Sequence, residues 1–160
     1  MVQVRPASVD DVDLLVRALA LAADWRPEAL VRTPAEVLAD PVLAGYVAGW
    51  PGPRERGVVA ELDGAAVGAA WWRFLPGGYG FVRADVPEVS VGVLPEHRGR
   101  GVGTELLRAM GTAAEADGLP GLSLSVERDN PAVRLYRRLG FVEVSGGEGA
   151  LTMLRQGVVA

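Results

Sequence analysis

The spacing of apolar residues changes several times along this 160-residue chain, and each change marks an element. Val2 to Arg5 alternates as a short strand, and Ser8 with Asp11 three residues later has the form of a capping box opening a helix. In that helix Leu14, Leu15, Ala18, Leu19 and Ala22 recur at helical spacing and give one apolar face. Thr33-Pro34-Ala35-Glu36 starts a second helix, with threonine as N-cap, proline at the first helical position and glutamate reaching back. Asp40-Pro41 breaks that helix and restarts it, carrying Val42, Leu43, Tyr46 and Val47 towards Trp50. The period then becomes two. Gly57 to Leu62 and Ala65 to Phe74 flank Asp63-Gly64, a type I′ hairpin signal. Residues 75–87 are glycine-rich and irregular, and Glu88 to Val93 reads as another strand. Gly101 to Asp117 returns to helical spacing, with Val102, Leu106, Leu107, Met110, Ala113 and Ala114 on one face and Gly118 just past the end. Leu122 to Val126 is a buried strand, a helix runs from Asn130 or Pro131 to Leu139, and Phe141 to Val144 and Leu151 to Leu154 close the chain as strands. The order β, α, α, β, β, β, α, β, α, β, β predicts one α/β domain over residues 1–160. Its sheet is mixed, antiparallel early, with a β-α-β unit in the middle.

Composition narrows the chemistry. A hydrophobic share of 49% against 22% charged residues supports an ordinary globular core. There is no cysteine, no lysine among the 16 basic residues, and a single histidine, His97. These absences exclude disulfides, a thiolate nucleophile, Cys-based metal sites, a lysine Schiff base and the lysine-bearing P-loop, and they predict no metal. A net charge of −4 argues against a nucleic-acid partner. No apolar run is long enough for a membrane span, and the N-terminus lacks a signal-peptide core, so the expected location is the cytoplasm, with no membrane partner.

The richest stretch for chemistry is residues 90–107, SVGVLPEHRGRGVGTELL. A strand runs through a short loop into Arg98-Gly99-Arg100-Gly101-Val102-Gly103-Thr104, which opens a helix. Amides at a helix start lack intrahelical partners and carry partial positive charge, and glycines let an anion approach them closely. A diphosphate fits such a loop. A Rossmann fingerprint fits less well, because its third position is Thr104 counted from Gly99 and Leu106 counted from Gly101; Glu127 keeps that alternative open.

Arg98-x-x-Gly101-x-Gly103, following Val91-Gly92-Val93 and the Leu94-Pro95 turn, resembles the acyl-CoA-binding motif of the GCN5-related N-acetyltransferase (GNAT) superfamily. Residues 130–141, NPAVRLYRRLGF, are similar to that family's N-x-A-x-x-L-Y-x-x-L-G-F segment. The two motifs stand in the family's order and cover residues 88–144.

The resemblance implies a GNAT-like domain of six or seven strands and four or five helices, whose splayed central strands hold acyl-CoA. Acetyl-CoA, or another short acyl-CoA, is then the co-substrate. Val91, Gly92 and Val93 would pair with pantetheine, and the amides of Gly99, Arg100, Gly101, Val102, Gly103 and Thr104 would hold the pyrophosphate. Arg98 would add charge, and Asn130 would help hold the cofactor or simply cap its helix. Tyr136 is implied as the acid that protonates the departing thiolate.

Lacking cysteine, the chain is restricted to direct attack by an amine, which needs a base. Glu88, at the start of the strand leading to the cofactor, is the candidate; Ser90 on the same face could order a water, and His97 reads as a surface residue. For the acceptor, a small-molecule or peptide amine, Trp25 and Trp72 are the candidate wall; Trp71 and Trp72 must face opposite sides of their strand. Asp24, Glu28 and Asp85 would favour a cationic acceptor. A non-catalytic acyl-CoA sensor on the same fold is the alternative, and a homodimer is left open.

Overall fold

The computed structural model describes residues 1–157. Its seven strands are β1 (Val2–Pro6), β2 (Arg56–Leu62), β3 (Ala65–Arg73), β4 (Glu88–Val93), β5 (Gly121–Glu127), β6 (Val142–Gly146) and β7 (Ala150–Gln156). Five helices join them: α1 (Val12–Ala23), α2 (Pro34–Ala39), α3 (Pro41–Ala44), α4 (Val102–Ala116) and α5 (Ala132–Arg138). The strand order is β1-β2-β3-β4-β5-β7-β6, and every neighbouring pair is antiparallel except β4 with β5.

Local signals act as expected. The Ser8 and Thr33 capping boxes both form, although the first opens a 3₁₀ turn at Val9–Asp11 before α1 begins. Asp63 and Gly64 both take positive φ, as a type I′ hairpin demands. The third helix is shorter than the sequence suggests. After Ala44 the amides of Gly45, Tyr46 and Val47 bond to carbonyls three residues back, and Gly49 turns left-handed. The apolar spacing survives in this irregular segment, because Leu43, Tyr46, Val47 and Trp50 are all buried.

Helices cover both faces of the sheet. On one face α4 packs Leu106, Leu107 and Met110 against Trp72, Val89, Leu124 and Met153. On the other, α1 and α3 pack Leu15, Leu19 and Leu43 against Ala69 and Trp71. The approach of α1 depends on Gly92, where a Cβ would overlap the Ala18 carbonyl. The adjacent tryptophans therefore do face opposite sides, and both are core. Trp72 is fully buried with its Nε1 donating to the Arg54 carbonyl at 2.8 Å, so it is not the acceptor wall that the sequence reading assigned to it. Both of its flanking layers are closed by helices, which periodicity within one strand could not reveal.

Candidate active site

A fork in the sheet positions the site. β4 and β5 pair at one register point, Glu88 with Ser123, reinforced by the Ser123 amide donating to the Pro87 carbonyl at 3.0 Å. Beyond that point they part, so the β5-facing backbone edge of Val91, Gly92 and Val93 has no strand partner. Side chains alternate about the fork. Val89, Val91 and Val93 point to the α4 layer, whereas Glu88, Ser90 and Gly92 face α1.

Where β4 ends, a cradle begins. Gly99 and Gly101 have φ of 73° and 80°, the left-handed region, with no atom near a would-be Cβ, so glycine serves the backbone turn there rather than close packing. Gly101 is the N-cap of the 15-residue α4 and supplies no side-chain cap. Among the described residues, none of the amides from Gly99 to Thr104 has a hydrogen-bond acceptor. Six free donors beside the positive end of a helix suit a diphosphate, and an open strand edge leading to them suits an extended amide-bearing arm. The residues present thus fit an acyl-CoA.

The sequence profile of the acetyltransferase (GNAT) family matches residues 17–141. The chain belongs to the GNAT acetyltransferase family. Mycothiol acetyltransferase of Amycolatopsis mediterranei is 35% identical over 136 residues, covering 82% of this chain and 42% of that protein. The L-methionine sulfoximine/L-methionine sulfone acetyltransferase of Pseudomonas aeruginosa is 39% identical over 93 residues, 56% of this chain and 51% of that one. A solved GCN5-related N-acetyltransferase from Kribbella flavida superposes with a TM-score of 0.70 at 26% identity, covering 97% of each chain. The chain spans between 37% and 51% of the length of the curated relatives it matches. The fold is that of the family, with the splayed strands in the expected place.

Within this GNAT domain the remaining candidates fall as follows. Tyr136, on α5, is buried on the α4 side, edge-on to Phe141 with ring centroids 6.0 Å apart. Its hydroxyl bonds to no described residue, and burial pushes its pKa up to about 12. Asn130 lies one residue before the Pro131 N-cap of α5, and its Oδ1 accepts from the Ala132 amide at 2.9 Å. Arg98 turns back to donate its Nε to the Val93 carbonyl at 3.3 Å, and Arg100 is exposed with no ion pair among the described residues. His97 is half-buried with Nδ1 enclosed and unpartnered, less open to solvent than the sequence suggested.

Glu88 is buried on the opposite face of the fork from Tyr136. Its Oε2 accepts from the Tyr46 hydroxyl at 2.6 Å and its Oε1 from the Gly80 amide at 3.1 Å. Burial raises its pKa above the ordinary 4.5, and these two donors work against that rise. Sequence reasoning missed Tyr46, which lies in the irregular segment after α3, and Ser123, whose fully buried Oγ has no partner.

The acceptor side differs from expectation in its charges. Asp24 is engaged by the amide and guanidinium of Arg32, and Asp85 by Arg83, which leaves Glu28 exposed and without an ion pair among the described residues. Trp25 is half-buried under Arg26, whose guanidinium lies 4.5 Å from the ring centroid. Arg26 in turn spans to Glu127 at the end of β5 and to Asp129 just past it, bordering an open hollow of about 560 Å³ that Arg128, Glu148, Gly149 and Ala150 also line. Another hollow of about 530 Å³, along Arg17, Ala20, Leu21, Val31 and Pro95, includes neither Glu88 nor Tyr136 in its lining.

Proposed function

We propose that this domain moves an acetyl group from acetyl-CoA directly to a primary amine of a small molecule or peptide, in a ternary complex and without a covalent enzyme intermediate. The observation that carries the reading is the fork: a strand edge left without a strand partner after Glu88, touched only by Arg98 Nε on the Val93 carbonyl, leading to six free amides. Acetyl-CoA supplies an acyl carbon already activated as a thioester. The backbone of Val91 to Val93 orients the pantetheine arm, the amides of Gly99 to Thr104 hold the pyrophosphate, and Asn130 adds its side-chain amide nearby.

Glu88 and Tyr136 lie on opposite faces of the fork, which suits opposite proton tasks at one centre. A primary amine is protonated at neutral pH, and Glu88, whose basicity burial raises above that of an ordinary carboxylate, takes its proton along the face that Ser90 shares. Tyr136 gives the sulfur a hydrogen bond that strengthens as the carbon–sulfur bond breaks and coenzyme A leaves as the thiolate. The relatives named mycothiol acetyltransferase and L-methionine sulfoximine/L-methionine sulfone acetyltransferase support a small-molecule acceptor. Trp25 and the hollow beside it are the acceptor-facing surface in this reading.

Purified protein is tested first by thermal shift with acetyl-CoA and with NAD. Acetyl-CoA raises Tm and NAD does not. Free-thiol release is then screened across amines that include amino acids, polyamines and peptide N-termini, with the acetylated product weighed by mass spectrometry. A Tm insensitive to acetyl-CoA defeats the proposal, and binding without turnover across the panel replaces it by an acyl-CoA sensor.

A further inference from the structure

The reading of Glu88 as base leaves open what holds a carboxylate in a buried site with no cation on it. Arg73 stands directly opposite Glu88 in the β3–β4 register, yet its Nε is given to Glu55 and its Nη1 to the Gly45 carbonyl. On the β5 side the register partner is Ser123, a neutral hydroxyl. Across the carboxylate runs the segment Gly78 to Gly80. The stabilising donors are therefore the Gly80 amide and the Tyr46 hydroxyl, the latter much the shorter at 2.6 Å.

Tyr46 is itself pinned on three sides. Its carbonyl accepts from Trp71 Nε1 at 2.9 Å, its hydroxyl accepts from the Tyr79 amide at 2.9 Å, and its ring stacks on Tyr79 with centroids 6.2 Å apart. One end of the residue is fixed by the core and the other by the loop. Burial and the neighbouring carboxylate push the phenol pKa far up, so the hydroxyl keeps its hydrogen and points it at Oε2.

We propose that Tyr46 is a positioning residue for Glu88: it aims the carboxylate within the fork and ties Tyr79 and Gly80 down across it. The inference rests on Glu88 being the base for its kinetic consequence, but its structural content stands apart from that reading. A hydrogen bond to an ionised group in a site without a cation favours the ionised form, and losing it leaves the desolvation of the carboxylate opposed by the Gly80 amide alone. Removing the hydroxyl also leaves the Tyr79 amide without its acceptor, which loosens the loop at the same point.

The test needs no acceptor. In the ligand-free protein carrying ¹³C at its glutamate carboxyls, the resonance absent from Glu88→Gln is that of Glu88, and its titration is followed in wild type and in Tyr46→Phe. The midpoint moves up by about one pH unit in Tyr46→Phe, the size of a charge-assisted hydrogen bond. If Tyr46→Phe folds poorly, 3-fluorotyrosine at position 46 gives a stronger donor of nearly the same shape and moves the midpoint down. A midpoint unmoved in the folded variant overturns the proposal. Once an acceptor is found, the acidic limb of kcat/KM moves with the carboxyl, and Tyr46→Phe costs nothing further in a Glu88→Gln background. An acidic limb that survives in Glu88→Gln removes Glu88 as base, while the carboxyl titration still judges Tyr46.

Discussion

Replacing Tyr136 by phenylalanine separates chemistry from packing, because the structure assigns its hydroxyl no internal partner. The ring's contacts, including the edge-on pair with Phe141 at 6.0 Å, remain in the variant. With no hydrogen bond lost, stability changes by less than about 0.5 kcal/mol in chemical denaturation. The effect on turnover follows from two acidities. Burial holds the phenol at a pKa of about 12, whereas a thiol's is about 8.5. Complete proton transfer from this tyrosine to a free thiolate is therefore uphill. Its contribution is a hydrogen bond that strengthens as sulfur gains charge, about 1.5–3 kcal/mol for a charged acceptor, or about 10–100-fold in kcat. KM for acetyl-CoA stays within about threefold, since the ground-state thioester sulfur is a weak acceptor. A kcat loss below threefold refutes the assignment. A stability loss above 1 kcal/mol refutes the view that the hydroxyl is unpartnered.

Three further outcomes follow from the same geometry. Gly101→Ala forces an L-residue to φ near 80° and costs about 1 kcal/mol; it weakens acetyl-CoA binding about tenfold or more by calorimetry, whereas Gly118→Ala, at φ 68° beyond the other end of α4, costs similar stability and leaves affinity unchanged. Trp72→Phe loses the Arg54 hydrogen bond and part of the α4-side packing, about 1–2 kcal/mol, with no change in acceptor KM; a changed KM would restore Trp72 to the acceptor wall. Glu88 has a raised folded pKa, so its contribution to stability is fully present below 4.5 and is lost as pH rises through the folded value. Glu88→Gln is accordingly more stable than wild type at neutral pH, and denaturation curves show the difference shrinking as pH falls towards 4.5; a difference that grows on acidification reverses the sign of the argument.

The parts of this molecule that were legible in its sequence are those governed by local rules. Caps, the hairpin turn and the helix opening at Gly101 each depend on a few neighbouring residues, and each formed where its residues stood. The two family motifs are local in the same sense, so the cradle and α5 could be placed from residues 98–104 and 130–141. What the sequence concealed is what only the sheet brings together. Trp71 and Trp72 alternate as any strand does, but whether a face is open or covered depends on α1 and α4, which come from distant parts of the chain.

The environment of Glu88 shows the same limit more sharply. The residue could be nominated from its place at the head of a strand, but its protonation depends on Tyr46, 42 residues earlier, and on Gly80 in an irregular loop. The apolar spacing marks Tyr46 only as a buried ring, since its hydroxyl is aimed by the irregular turn after a four-residue helix, and Gly80 has no side chain to carry a signal. Arg73, the one cation facing Glu88 in the register, is taken by Glu55 and the Gly45 carbonyl, both from the stretch that leads from α3 into β2. That stretch looks like mere connection in the sequence. In the fold it supplies the donor to the carboxylate and withholds the cation from it, so a basic carboxylate is built by residues with no motif of their own.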